Sequence, residues 1–113
     1  MPMTKLHISD DARADLAEIK AYISDELGNP AAAKSTVKNI TRRIRELQNF
    51  PLMGPALSSV SSVSSAFRYL VSGNYLIFYQ VKQGEVYMAR VMYGRRNYIQ
   101  LLFEESIEDE PEE

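Results

Sequence analysis

The sequence predicts an α+β domain. An N-terminal strand and an αα-hairpin lead into a three-stranded antiparallel meander (β-α-α-β-β-β), closed by a short C-terminal segment. Three observations carry the prediction. Between residues 12 and 47, apolar side chains recur at spacings of three and four, the period of a helix face. Between residues 67 and 93, the pattern changes to β-branched and aromatic runs, broken by Ser72-Gly73-Asn74 and Lys82-Gln83-Gly84-Glu85, which have the chemistry of tight turns. A run of helices followed by a run of strands segregates to one face of an antiparallel sheet.

The elements follow in order. Residues 3–8 alternate, with Thr4, Leu6 and Ile8 on one side and Lys5 and His7 on the other. That period of two belongs to an outer strand with one wet face, and it makes His7 a surface residue with no visible partner. Ser9, Asp10 and Asp11 supply a cap and negative charge for a helix start. The first helix is predicted from about residue 11 to 27, because Ala12, Leu16, Ile19, Ile23 and Leu27 form one stripe. Gly28 suits the left-handed position past a helix end, and Asn29-Pro30 suits the cap and first residue of the next helix. The second helix is predicted to about residue 49 from Ala33, Val37, Ile40, Ile44 and Leu47, with Arg42, Arg43 and Arg45 off the stripe. So short a linker folds the two helices back on each other. Phe50-Pro51-Leu52-Met53-Gly54-Pro55 ends the second.

Residues 56–66 are rich in serine and read as a loop. The meander follows over residues 67–71, 75–81 and 86–93. The middle strand is apolar on both faces, which places it inside the sheet. Tyr75, Tyr79, Tyr87 and Tyr93 read as sheet residues, since tyrosine favours pleated, half-buried surfaces. Gly94 breaks the last strand, and Ile99, Leu101, Leu102 and Phe103 form a short apolar segment. The sheet face opposite the helices has no assigned cover apart from this segment.

A chain of 113 residues that is 45% hydrophobic and 25% charged is one domain of ordinary globular composition. No cysteine is present, which excludes disulfides, thiolate metal sites and cysteine nucleophiles. A single histidine excludes sites that need two imidazoles. Neither a metal nor a cofactor is expected. No apolar run approaches a membrane span, and the N-terminus lacks the apolar stretch of a signal peptide, so the cytoplasm is the expected compartment. The net charge of −2 is divided unevenly. Residues 104–113 carry seven of the 15 acids and no base, which leaves residues 1–103 with 13 bases against eight acids, or +5. The expected organisation is therefore a basic domain over residues 1–103 and an acidic, solvated tail over residues 104–113.

The candidate site is a set of arginines with one tyrosine. Arg68, Arg90, Arg95 and Arg96 are four of the eight arginines, and they fall in or just after the meander, with Tyr98 close behind. Guanidinium forks match phosphate and carboxylate, and several brought to one sheet rim suit RNA, a DNA-bound complex or an acidic protein surface. Arg90 has apolar neighbours, so pairing with a carboxylate from a helix is the competing reading. No phosphate-binding glycine loop, nucleophile elbow or zinc spacing is present.

Two segments resemble the RelE/ParE superfamily of type II toxins. One is Phe67-Arg68-Tyr69-Leu70-Val71-Ser72-Gly73-Asn74-Tyr75-Leu76-Ile77-Phe78-Tyr79-Gln80-Val81. The other is Val86-Tyr87-Met88-Ala89-Arg90-Val91-Met92-Tyr93-Gly94-Arg95-Arg96-Asn97-Tyr98. Asp11-Ala12-Arg13-Ala14-Asp15-Leu16, the Tyr22-Ile23 pair and Phe50-Pro51-Leu52-Met53-Gly54 fit at the front, so the likeness spans about residues 3–103. It implies a growth-inhibiting toxin, neutralised by a RelB- or ParD-like antitoxin in a hetero-oligomer, with no membrane role. RelE-like members cut messenger RNA on the ribosome, where basic side chains stabilise the charged phosphate. ParE-like members inhibit DNA gyrase. On the first reading Arg96 and Tyr98 are catalytic. On either reading, Arg68, Arg90, Arg95 and Arg96 are expected to bind the target. The strand positions where the ribonucleases carry basic residues correspond to Tyr69, Leu70 and Leu76 here, and Gly94-Arg95-Arg96-Asn97 is closer to the ParE branch. The resemblance therefore favours gyrase, with the ribosome and its mRNA as the alternative target and an inactive, antitoxin-binding corepressor as a third reading.

Overall fold

In the computed structural model the described residues are 3–57 and 66–94. The elements are β1 (Leu6–Ile8), α1 (Asp10–Ala21), a π-helical turn (Tyr22–Glu26), α2 (Pro30–Glu46), β2 (Arg68–Ser72), β3 (Tyr75–Lys82) and β4 (Glu85–Tyr93). The α+β class and the β-α-α-β-β-β order are as the sequence predicts. None of the described helices is long and apolar enough to cross a membrane.

Local chemistry places each boundary. The Ser9 hydroxyl accepts from the N–H of Ala12 at 3.0 Å and donates to the Ala89 carbonyl at 2.9 Å, so one side chain caps α1 and anchors it to β4. Asn29 caps α2 through the N–H of Ala32, and Pro30 follows at the first helical turn. Gly28 lies between the helices at φ +63°, the left-handed conformation predicted for it.

The first helix departs from the single predicted stripe. At Tyr22 the backbone widens, and the N–H of Leu27 bonds the carbonyl of Tyr22, five residues back. Ile23 stays buried, but Leu27 is rotated out and is 59% exposed. The period of 3.6 residues cannot register such an insertion. The second helix is shorter than predicted, since α2 ends at Glu46 and tighter turns carry the chain to residue 49.

The sheet order is β1-β4-β3-β2. β2, β3 and β4 form the antiparallel meander, while β1 runs parallel to β4 with Leu6 opposite Val86 and Ile8 opposite Met88. The helices cover one face. Ile40, Ile44, Leu47, Ile77, Tyr79, Val86 and Met88 form the fully buried centre of that layer. A smaller cluster of Leu57, Tyr69, Leu76 and Phe78 lies on the other face of the sheet, so that face is partly closed by residues just after the second helix.

The pairing of β3 and β4 contains a bulge. Phe78 opposes Arg90 and Tyr79 opposes Met88, which leaves Ala89 as the extra residue. Strict alternation would put Arg90 on the core face with Val86 and Met88. The bulge breaks the parity, and Val91 takes the core position instead.

Candidate functional site

The bulge delivers Arg90 to the rim of the sheet next to α1. Its Nε and Nη2 donate to the two carboxylate oxygens of Asp15 at 2.7 and 2.9 Å. Asp15 also accepts from the backbone N–H of Val91 at 2.9 Å, so one carboxylate holds both a guanidinium and the strand edge beside it. Asp15 is 8% exposed. Burial pushes its pKa up, but the Arg90 hydrogen bonds, the Val91 N–H and the Arg90 charge outweigh that, and the carboxyl sits below its ordinary value. Arg90 in turn is held protonated more firmly, first by its hydrogen bonds to Asp15. Its side chain remains half exposed.

β1 ends at Ile8, so it covers only the first part of the outer edge of β4. Beyond it a cleft of about 970 Å³ opens between the helices and the far end of the sheet. Ile19, Tyr22, Ile23 and Leu27 line it from the helix side, Tyr75 and Tyr93 from the sheet, and Asp15, Glu18 and Arg90 are its charged lining residues. Tyr75 and Tyr93 oppose each other across β3 and β4, and their rings meet edge to face with centroids 5.6 Å apart. Burial raises the Tyr75 pKa, and the neighbouring Tyr93 and Tyr22 raise it further. Tyr22, Leu27 and Tyr93 are 55%, 59% and 70% exposed, an unusual amount of large apolar surface around one opening.

Arg68 lies elsewhere. It begins β2, at the opposite edge of the sheet, and donates through Nη1 to the carbonyl of Gly54 at 2.6 Å. With β3 between β2 and β4, the Arg68 and Arg90 backbones stand on strands roughly 10 Å apart. The two do not converge on one rim. Arg68 ties the residue 52–57 segment to the sheet, together with Tyr79. The buried Tyr79 hydroxyl accepts from the Gly54 N–H and donates to the Pro51 carbonyl, each at 3.0 Å. Arg95, Arg96 and Tyr98 lie outside the described residues, as do the apolar segment and the acidic tail. In sequence, Arg95 and Arg96 come directly after Gly94, the last described residue.

His7 corrects the sequence reading. Its ring stacks on Tyr87 at 4.5 Å and 9°, and its Nε2 lies 2.7 Å from a Glu85 carboxylate oxygen. The hydrogen bond from His7 is the main cause of a lowered Glu85 pKa. Glu85 is 78 residues away in sequence and Tyr87 lies two further on, so nothing local announces them. The carboxylate from a helix expected as the competing partner of Arg90 is Asp15 of α1, a residue the sequence did not single out, and the three-tyrosine cleft was not expected. Asp15 had one signal, an acid three residues after Ala12 on an otherwise apolar stripe. Among the described residues, no group of three or more His, Cys, Asp or Glu side chains could hold a metal ion.

The family profile described as "ParE toxin of type II toxin-antitoxin system, parDE" matches residues 6–98. The chain belongs to the ParE toxin family. Among solved structures, a chain from the chromosomal ParDE toxin–antitoxin system of P. aeruginosa is 22% identical, with a TM-score of 0.68 over 82% of this chain and 98% of that one. A chain of the RelBE2 toxin–antitoxin complex from Mycobacterium tuberculosis is 18% identical, with a TM-score of 0.49 over 82% of this chain and 99% of that one. No curated protein gives a significant match. The P. aeruginosa chain shares the fold of this one.

Proposed function

We propose that this ParE-family chain arrests bacterial growth by binding DNA gyrase in the cytoplasm, and that a ParD-like antitoxin neutralises it. The observation that carries the gyrase reading over messenger RNA cleavage is the placement of Tyr69, Leu70 and Leu76. The resemblance puts the basic residues of the ribonuclease branch at these strand positions. Here they are 3%, 3% and 0% exposed and packed into the two apolar clusters. Side chains sealed in a core cannot meet a phosphate or stabilise its developing charge. Arg90 is engaged by Asp15 and Arg68 by backbone carbonyls, which does not separate the two readings and leaves the target contact to other surface. A toxin that acts by binding needs presented surface instead, and the exposed tyrosines and Leu27 around the cleft offer it. The ParDE origin of the P. aeruginosa neighbour supports an antitoxin partner.

The experiment has two stages. Expression of the chain without its antitoxin is expected to stop growth, and unchanged growth would favour the inactive corepressor. Purified chain is then added to gyrase in a supercoiling assay, where inhibition is expected. Normal supercoiling, together with new 5′ ends in ribosome-bound transcripts, would replace gyrase by the ribosome as the target.

A further inference from the structure

We infer that the outer face of α2 is a contact surface for the phosphate backbone of duplex DNA, held by Lys34, Lys38, Arg42 and Arg45. DNA is chosen over other polyanions on the strength of the gyrase reading, because a toxin that poisons gyrase acts beside the duplex that gyrase holds. The face is separate from the cleft, which α2 lines with Ala32 and Thr36 and with none of the four cations.

Three observations support it. The first is the pairing of charges. All four cations are exposed. Glu46 is the one acid of α2, and Arg43 takes it at 2.6 Å. Arg42 donates to the neutral Asn39 at 2.8 Å. Among the described residues the ion pairs are His7–Glu85, Arg43–Glu46 and Arg90–Asp15, so neither Asp25 and Glu26 of the neighbouring π-helical turn nor any acid of α1 pairs with the four. The second is geometry. On a regular helix the four fall within about 80° of arc and span about 17 Å, with a cation on each successive turn. The other side of α2 is buried through Ala33, Ile40 and Ile44, so the ladder stands on a fixed support. A duplex presents phosphates at regular intervals, and each lysine or arginine that meets one releases a counterion. Ser35 and Asn39, exposed beside the ladder, are neutral groups of the kind that bond phosphate oxygens. The third is the residue content of the face. α2 holds no aromatic side chain on which unpaired bases could stack, which favours a duplex over a single strand. The seven acids of residues 104–113 compete for the same cations, which keeps the contact modest and sensitive to salt. Such a contact reads no sequence, and it gains from the high effective concentration of DNA once the chain sits on gyrase.

The test is fluorescence anisotropy of a labelled DNA duplex of about 20 base pairs, titrated with the full chain at low salt. Binding is expected. In Lys38→Gln with Arg42→Gln it is expected to weaken about tenfold, and the slope of log affinity against log salt should fall by about two. Both positions are exposed and glutamine is a good helix former, so the fold is kept, as circular dichroism would verify. Lys5→Gln with Lys82→Gln removes the same charge from exposed positions on the sheet, and it is expected to change affinity less than about twofold. A single strand of equal length is expected to bind more weakly than the duplex. No binding of the duplex, unchanged affinity in the α2 variant, equal losses in the two double variants, or tighter binding of the single strand would overturn the inference. Salt-dependent movement of the α2 amide signals in the free chain, with no response to the duplex, would give the face to the acidic residues 104–113 and overturn it equally. The supercoiling assay separates this contact from the choice of target. Gyrase inhibition by a chain that binds no duplex would keep gyrase and remove the contact, whereas duplex binding through α2 with normal supercoiling would remove gyrase and keep the contact.

Discussion

Replacing Asp15 tests what joins the first helix to the last strand. The carboxylate makes three hydrogen bonds, two with Arg90 and one with the Val91 N–H. Asparagine keeps one acceptor for Val91 but loses the charge. Arg90 is half exposed and can turn to water, so the ion pair itself is discounted toward surface values. Asp15→Asn is therefore expected to destabilise by about 1–2 kcal/mol. Alanine also strands the Val91 N–H at a buried position, which adds about 1–2 kcal/mol and brings Asp15→Ala to roughly 2–4 kcal/mol. For a domain of this size that is a fall in Tm on the order of 10–20 °C. Urea denaturation read by circular dichroism gives both values. The pH dependence has a definite sign. The folded-state pKa of Asp15 is lowered, so its contribution is complete above the ordinary carboxylate value and is lost as pH falls through the lower, folded-state value. The gap between wild type and Asp15→Asn should narrow on acidification. Equal losses for asparagine and alanine would show that the Val91 bond contributes nothing. Losses below about 0.5 kcal/mol for both would show that α1 is held to β4 by apolar packing alone.

Four further outcomes are expected. Tyr79→Phe leaves the Gly54 N–H and the Pro51 carbonyl without their shared hydroxyl, and it should cost about 1–3 kcal/mol in denaturant melts with faster amide exchange at Gly54. Gly54→Ala would press a methyl group against the Tyr69 carbonyl and within 2.7 Å of the Tyr79 hydroxyl, so a loss of about 1–3 kcal/mol is expected in the same melts. Arg95→Ala with Arg96→Ala should relieve growth arrest while leaving antitoxin binding and Tm unchanged, and a loss of folding would show the pair to be structural. Removal of residues 104–113 should leave the circular dichroism spectrum and Tm as they are, and failure to fold would make the acidic segment part of the domain.

A ParE-like scaffold uses its sheet unevenly. On the helix face, buried side chains of α2, β3 and β4 form the larger apolar cluster. On the rim, Asp15 satisfies an edge N–H that β1 is too short to reach. This leaves the end of the sheet near Tyr93 supported but open, a rigid frame around a presented surface. Sites placed on the edges of rigid elements keep their geometry without the ordering cost that a loop would carry on binding.

The sequence alone determined what depends on neighbours a few positions apart. The α2 stripe from Ala33 to Leu47, the Ser9 and Asn29 caps, the left-handed Gly28 and the two hairpin turns were legible because helical and strand periods and cap chemistry are local. The family motifs were legible for the same reason. Only the tertiary structure decided which residues meet across the fold. Asp15 finds Arg90 75 residues later, and His7 finds Glu85 78 residues later. The π turn that exposes Leu27 and the bulge that moves Arg90 off the core face each insert one residue into a regular period. Arg68 and Arg90, neighbours on a list of cations, were parted by strand order. A one-dimensional pattern carries phase within an element. The distance between elements is fixed only when their faces are buried against each other.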